Sequence, residues 1–120
     1  MLTKEELPDC PVATTLAVIG GKWKLLIIRN LQTRPYRFNE LKNDLSGISQ
    51  KVLTDSLRSL EEDGIVARLV RSESPRQVEY ALTERGESLR PILEEMRRWG
   101  LSFQEELRSG GTGVKEAPRD

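Results

Sequence analysis

Residues 38–82 read FNELKNDLSGISQKVLTDSLRSLEEDGIVARLVRSESPRQVEYAL. Leu41 and Leu45 lie four apart and point to one side of a short helix, Glu40 to Asp44, with Asn39 as its N-cap. Ser46-Gly47-Ile48 reads as a tight turn. Ser49 is a good N-cap for a longer helix that ends near Asp63, where Gly64 supplies the stop. Two segments of alternating polarity follow, Ile65 to Arg71 and Gln77 to Leu82, separated by the polar turn Ser72 to Arg76. Such alternation about a cluster of turn formers marks a β-hairpin. Short helix, turn, longer helix and hairpin make the layout of a winged helix-turn-helix, so the fold expected is mainly α with one small β-hairpin.

The flanks extend this unit at both ends. Pro11 fits the first turn of a helix, which puts Cys10 near its N-cap and Val12 to Ile19 within it. Gly20-Gly21 ends that helix. Another runs from about Lys22 to Leu31, apolar on most sides and therefore central. Arg34-Pro35 breaks the pattern, and Tyr36-Arg37-Phe38 reads as a short strand. Thr83 caps a last helical region reaching about Leu107, which Pro91 kinks or divides. The expected organisation is a flexible lead over 1–9, a winged helix-turn-helix with N- and C-terminal dimerisation helices over 10–108, and a flexible tail over 109–120.

The helix after Ser49 has two opposed faces. Advancing roughly 100° per residue from Gln50 places Gln50, Thr54, Arg58 and Lys51 within about 0–100°. Val52, Leu60, Leu53 and Leu57 fall within about 200–340°. The polar face begins at the helix N-terminus, where a recognition helix meets base edges. Gln pairs with adenine, Lys and Arg with guanine, and the Thr54 methyl contacts thymine. Ser49 and the free N–H groups beside it suit phosphate. Arg71, Ser74 and Arg76 lie at the hairpin tip, placed for the minor groove or the backbone. Lys22, Lys24 and Arg37 are candidate phosphate contacts, with a solvated surface charge as the plainer reading of each.

Composition narrows the chemistry. The 120 residues suit one domain, and they contain no histidine and one cysteine. Histidine-dependent nucleophile sites, His-ligated zinc, Cys₄ clusters and an internal disulfide are therefore excluded. Adjacent acids such as Glu61-Glu62 look like solvated helix faces, and no phosphate-binding glycine loop is present, so neither an enzyme nor a cofactor or metal is expected. No stretch resembles a signal peptide or a membrane span, and a soluble cytoplasmic protein is expected. The formal charge is zero, but residues 22–76 carry 11 basic and seven acidic groups, +4, against −4 for the remainder.

The segments CPVATTLAVIGGKWKLLIIRNL (10–31), RPYRFNELKNDLSGISQKVLTDSLRSLEEDGIVAR (34–68) and PRQVEYALTERGESLRPILEEMRRWG (75–100) together resemble the HxlR family of bacterial winged-helix regulators, relatives of the MarR group. The motifs carrying the resemblance are Gly20-Gly21-Lys22-Trp23, Phe38-Asn39-Glu40-Leu41, Leu60-Glu61-Glu62-Asp63-Gly64 and Tyr80-Ala81-Leu82-Thr83-Glu84-Arg85-Gly86, without departures. The resemblance implies a homodimeric transcriptional regulator bound to an inverted repeat in double-stranded DNA. It further implies that the helix from Ser49 to Asp63 is the recognition helix and residues 71–77 the wing.

Two features bear on assembly and signal. Leu89, Leu93, Met96, Gly100, Phe103 and Leu107 recur every three or four residues, and Ile92 and Trp99 widen the stripe. A dimer interface is expected from Leu93, Met96, Trp99 and Phe103 with Val12, Leu16 and Ile19 of the first helix; the alternative is packing within one chain. Cys10 is the candidate thiol sensor. A helix N-terminus favours thiolate, while Asp9 opposes it. Some members of the resembled family look like sensors of oxidants, quinones or aldehydes through an N-terminal cysteine at the matching position. With no second cysteine, only an intersubunit or mixed disulfide or alkylation is open to it. The alternatives are a structural Cys10 in a regulator that answers a small-molecule effector, and a winged-helix docking module that does not read DNA.

Overall fold

The computed structural model describes residues 3–110, so the expected tail lies almost wholly outside the described residues. The described chain holds a 3-10 turn (Lys4–Glu6), α1 (Pro11–Ile19), α2 (Lys22–Leu31), α3 (Phe38–Asp44), α4 (Gln50–Glu62), β1 (Val66–Glu73), β2 (Arg76–Leu82), α5 (Glu84–Glu87) and α6 (Arg90–Arg108). The 3-10 turn falls in the lead expected to be flexible. The chain divides between Arg90 and Pro91 into two compact units. No single helix among the described residues is long and apolar enough to cross a membrane.

The core of the first unit gathers where the apolar periodicities meet. Ile27, Ile28 and Leu31 from α2, Leu41 from α3, and Leu53, Leu57 and Leu60 from α4 are buried, with Leu45, Ile48, Ile65 and Val66 closing the space. α4 packs on both α2 and β1. Each buried Leu or Ile is worth roughly 1.5–3 kcal/mol, so three leucines along one face of α4 fix its rotation about its own axis. Ile19, expected at a shared surface, is 4% exposed and belongs to this core. Its position at the last turn of α1 carries the side chain inward, whereas Val12 and Leu16 remain 68% and 61% exposed. Val52, placed on the apolar side by the helical angles, is 37% exposed, whereas its neighbour Leu53 is fully buried.

Local chemistry sets the ends of these elements. The Ser49 side chain accepts from the Val52 N–H at 3.1 Å, as an N-cap does. Gly64 adopts φ +74 beyond the C-terminus of α4, a conformation that glycine takes without steric cost. α3 begins earlier than its sequence indicates. Arg37 rather than Asn39 is its N-cap, and the Glu40 carboxylate accepts from the Arg37 backbone N–H at 2.8 Å. Tyr36 makes only an isolated antiparallel bridge to Tyr80, so the expected strand over 36–38 shrinks to one residue and Phe38 starts the helix.

The hairpin is tighter than expected. β1 and β2 pair antiparallel from Val66↔Leu82 to Glu73↔Arg76, leaving Ser74-Pro75 as the whole turn, joined by a cis peptide bond. The ladder shifts register between Val70 and Ser72, so Arg71 is an extra, bulged residue. Thr83 ties the base of the hairpin to α4. Its hydroxyl donates to the carbonyls of Gly64 (2.5 Å) and Ile65 (3.2 Å), and it accepts from the Gly86 N–H at 3.0 Å. A Cβ on Gly86 would sit 2.3 Å from the Ile65 carbonyl oxygen, which explains a glycine there.

In the second unit, α6 begins just before Pro91, as the expected division required. None of its side chains is buried. Ile92, Met96, Trp99, Phe103 and Leu107 are exposed along one stripe, and the rings of Trp99 and Phe103 stack at 5.2 Å.

Leu57→Ala is expected to lower unfolding free energy by about 2–5 kcal/mol, and Ser49→Ala by about 1 kcal/mol. Urea denaturation followed by circular dichroism measures both.

Candidate nucleic-acid interface

With Leu53, Leu57 and Leu60 turned inward, the remaining side of α4 faces solvent. Ser49, Gln50, Lys51 and Arg58 are exposed and Thr54 is half-buried, so the structure brings the expected reading set onto one surface. In the first turn of α4 the Val52 N–H is taken by the Ser49 side chain, while those of Gln50 and Lys51 have no partner within the helix.

The hairpin residues Arg71, Ser74 and Arg76 are exposed as expected. Arg37, at the start of α3, donates to the Gln77 side-chain oxygen at 3.0 Å and so ties α3 to the base of the hairpin tip. Lys22 and Lys24 stand apart at the first turn of α2. The Lys22 ammonium lies 4.5 Å from the centre of the Trp23 ring, and Lys24 Nζ donates to the Val18 carbonyl at 3.5 Å. Lys24 thereby caps the end of α1, which makes it the least available of the candidate phosphate contacts.

Several of these cations have carboxylate neighbours that reading the cations alone overlooks. Lys51 Nζ lies 2.7 Å from Asp55 Oδ2, one helical turn on. Arg71 Nε lies 2.7 Å from Glu79 Oε1 across the hairpin, and Arg76 stands 3.7 Å from Glu73. The first pair was legible in the spacing of 51 and 55; the second depends on the hairpin register. The hydrogen bond from Lys51 holds the Asp55 carboxyl below its ordinary value. The Arg37 backbone N–H, and then Arg34, do the same for Glu40. Arg58 adds a smaller charge effect on the same Asp55 carboxyl. It borders a cleft of about 170 Å³ lined also by Phe38, Thr54, Leu57, Glu61, Arg68 and Tyr80. Among the described residues no cluster of acidic or cysteine side chains could hold a metal.

Cys10 is exposed at the N-cap of α1, and its side chain makes no capping hydrogen bond. Of the expected interface residues, Val12, Leu16, Met96, Trp99 and Phe103 are exposed, Leu93 is half-buried and Ile19 is buried.

Comparison with known proteins follows the same outline. A family profile described as HxlR-like helix-turn-helix matches residues 18–108. The HTH-type transcriptional regulator YybR of Bacillus subtilis (strain 168) is 47% identical over 100 residues, covering 83% of this chain and 80% of its own. The redox regulator HypR in its reduced form superposes with a TM-score of 0.77 at 46% identity, covering 83% of this chain and 99% of that one. Diamide-treated YodB from B. subtilis superposes at 0.67 with 39% identity, covering 78% and 94%.

The Asp55 carboxyl is expected to titrate below the ordinary carboxylate range and to return toward it in Lys51→Met, as read by carbon-detected NMR. Because its folded value is depressed, the small stabilisation from the pair is present above the unfolded value. It is lost as pH falls through the folded one.

Proposed function

This chain belongs to the HxlR-like helix-turn-helix family of transcriptional regulators, and from that premise we propose that it reads an inverted-repeat operator in double-stranded DNA as a homodimer whose affinity is set by the state of Cys10. The observation that carries the reading is the fixed rotation of α4. Its leucine face is locked into the core and its opposite face, Gln50, Lys51, Thr54 and Arg58, is turned to solvent.

α4 enters the major groove by its N-terminal turn. Ser49 and the free N–H groups hold a phosphate, Gln50 and Lys51 reach base edges, and the Thr54 methyl meets a thymine. Arg71, Ser74 and Arg76 of the wing contact the adjacent backbone or minor groove, and Lys22, Lys24 and Arg37 add phosphate contacts where their other bonds release them.

Two copies must present their recognition helices about 34–36 Å apart. The exposed stripe of α6 with Leu93 is an apolar face of the kind that a second copy covers, and so, in the other unit, are the exposed Val12 and Leu16 of α1. The exposed thiol of Cys10 lies within two residues of Val12. Oxidation or alkylation there alters the packing between protomers and hence the spacing of the reading heads. A useful switch needs roughly 1–3 kcal/mol of such coupling. HypR is named a redox regulator and YodB was treated with diamide, and both resemble this chain in sequence and fold. A protein docking module is the second reading, and a salt-independent or absent DNA affinity would favour it.

Selection of bound DNA from a random pool tests the main reading and is expected to return an inverted repeat. Gln50→Ala or Lys51→Ala then relaxes one base pair of that repeat by about 1–3 kcal/mol, whereas Arg76→Ala weakens all sequences alike. Replacing Gln50, Lys51, Thr54 and Arg58 together by Ala with no loss of affinity would refute it. Sedimentation equilibrium is expected to give a dimer at micromolar concentration, and diamide to weaken operator binding by the native protein but not by Cys10→Ser.

A further inference from the structure

Three of the cations proposed to meet DNA already have carboxylate partners on the protein. Lys51 is held by Asp55 at 2.7 Å, Arg71 by Glu79 at 2.7 Å and Arg76 by Glu73 at 3.7 Å. Each partner comes from the same surface as its cation: Asp55 lies on α4 one turn beyond Lys51, Glu79 on β2 and Glu73 at the end of β1. All three pairs are solvent-accessible, with Glu79 the most covered of the carboxylates.

Resting on the assignment of α4 and the hairpin as the DNA-reading surface, we propose that Asp55, Glu79 and Glu73 are resident counter-ions that stand where DNA phosphates would, and that they set specificity by suppressing non-specific binding. Non-specific affinity comes almost wholly from cations replacing the counterions condensed on phosphates. A Lys or Arg already paired with a carboxylate brings no net charge to the duplex, so it releases fewer ions and gains little on random DNA. At the operator the same side chain gains a directed contact: Lys51 can turn to a guanine edge, and the vacated Asp55 carboxylate can accept from a cytosine N4 amine. The pair therefore opens where the sequence compensates for it and stays closed elsewhere.

Asp55 also feels the charge of Arg58 on the same face, so its carboxylate offsets more than one cation there. Exposed pairs of this kind are individually weak, so their effect belongs to charge balance at the DNA surface and not to the stability of the fold.

The test compares the native protein with Asp55→Asn, Glu79→Gln and Glu94→Gln, the last a change of equal charge on α6, with circular dichroism confirming folding. Affinity for the selected operator and for a scrambled duplex is measured across salt concentrations. For Asp55→Asn and Glu79→Gln, the slope of log affinity against log salt on scrambled DNA is expected to steepen by up to about 0.9 per freed cation. The ratio of operator to scrambled affinity should fall in Asp55→Asn, and Glu94→Gln should leave both readings near native. Unchanged slopes in Asp55→Asn and Glu79→Gln, or an equal steepening in Glu94→Gln, would overturn the counter-ion role while the DNA-reading assignment stood on the native protein's own operator binding. No salt-dependent DNA binding by the native protein would overturn both together.

Discussion

The rotation of α4 about its own axis is the constraint on which the remaining structure depends. Leu53, Leu57 and Leu60 are drawn into the space between α2 and β1. A turn of the helix by one residue would expose one of them and bury a charge from Lys51 or Arg58, a cost of several kcal/mol. The helix therefore has one seating. The side chains that remain outside do so because the others are inside, and the polar face needs no interactions of its own to hold it.

The hairpin inherits its position from the same seating. Gly64 reverses the chain directly after α4, Ile65 and Val66 close the core, and Thr83 bonds back to the carbonyls of Gly64 and Ile65. The wing is thus anchored at its base by buried contacts and hydrogen bonds, while its tip carries exposed arginines on a two-residue turn. Arg37 reaches the hairpin through Gln77, so the start of α3 is coupled to it as well.

Charge follows a different logic from packing. The chain is neutral as a whole, and the middle segment is basic, yet Lys51, Arg71 and Arg76 are balanced in place by Asp55, Glu79 and Glu73. The apolar stripe of α6 is the opposite case. It is uncompensated, with Trp99 stacked on Phe103 and still 69% exposed.

Much of this was legible in the residues. Local signals are strong where one residue type has one physical use: Ser49 as a cap, Gly64 as a stop, leucines at helical spacing, Pro91 as a divider. Reading α4 as amphipathic therefore located the candidate site residues without coordinates. Tertiary structure decided what depends on neighbours distant in sequence. It buried Ile19 while leaving Leu16 exposed, moved the start of α3 from Asn39 to the Arg37–Glu40 cap, reduced the expected strand at Tyr36 to one bridge with Tyr80, and joined Arg71 to Glu79. Caps and periodicities are properties of the chain within a few residues and are written there. Burial of a side chain at a helix end and the choice of an ion partner across a hairpin are set by which surfaces meet, and that follows only once the core has closed.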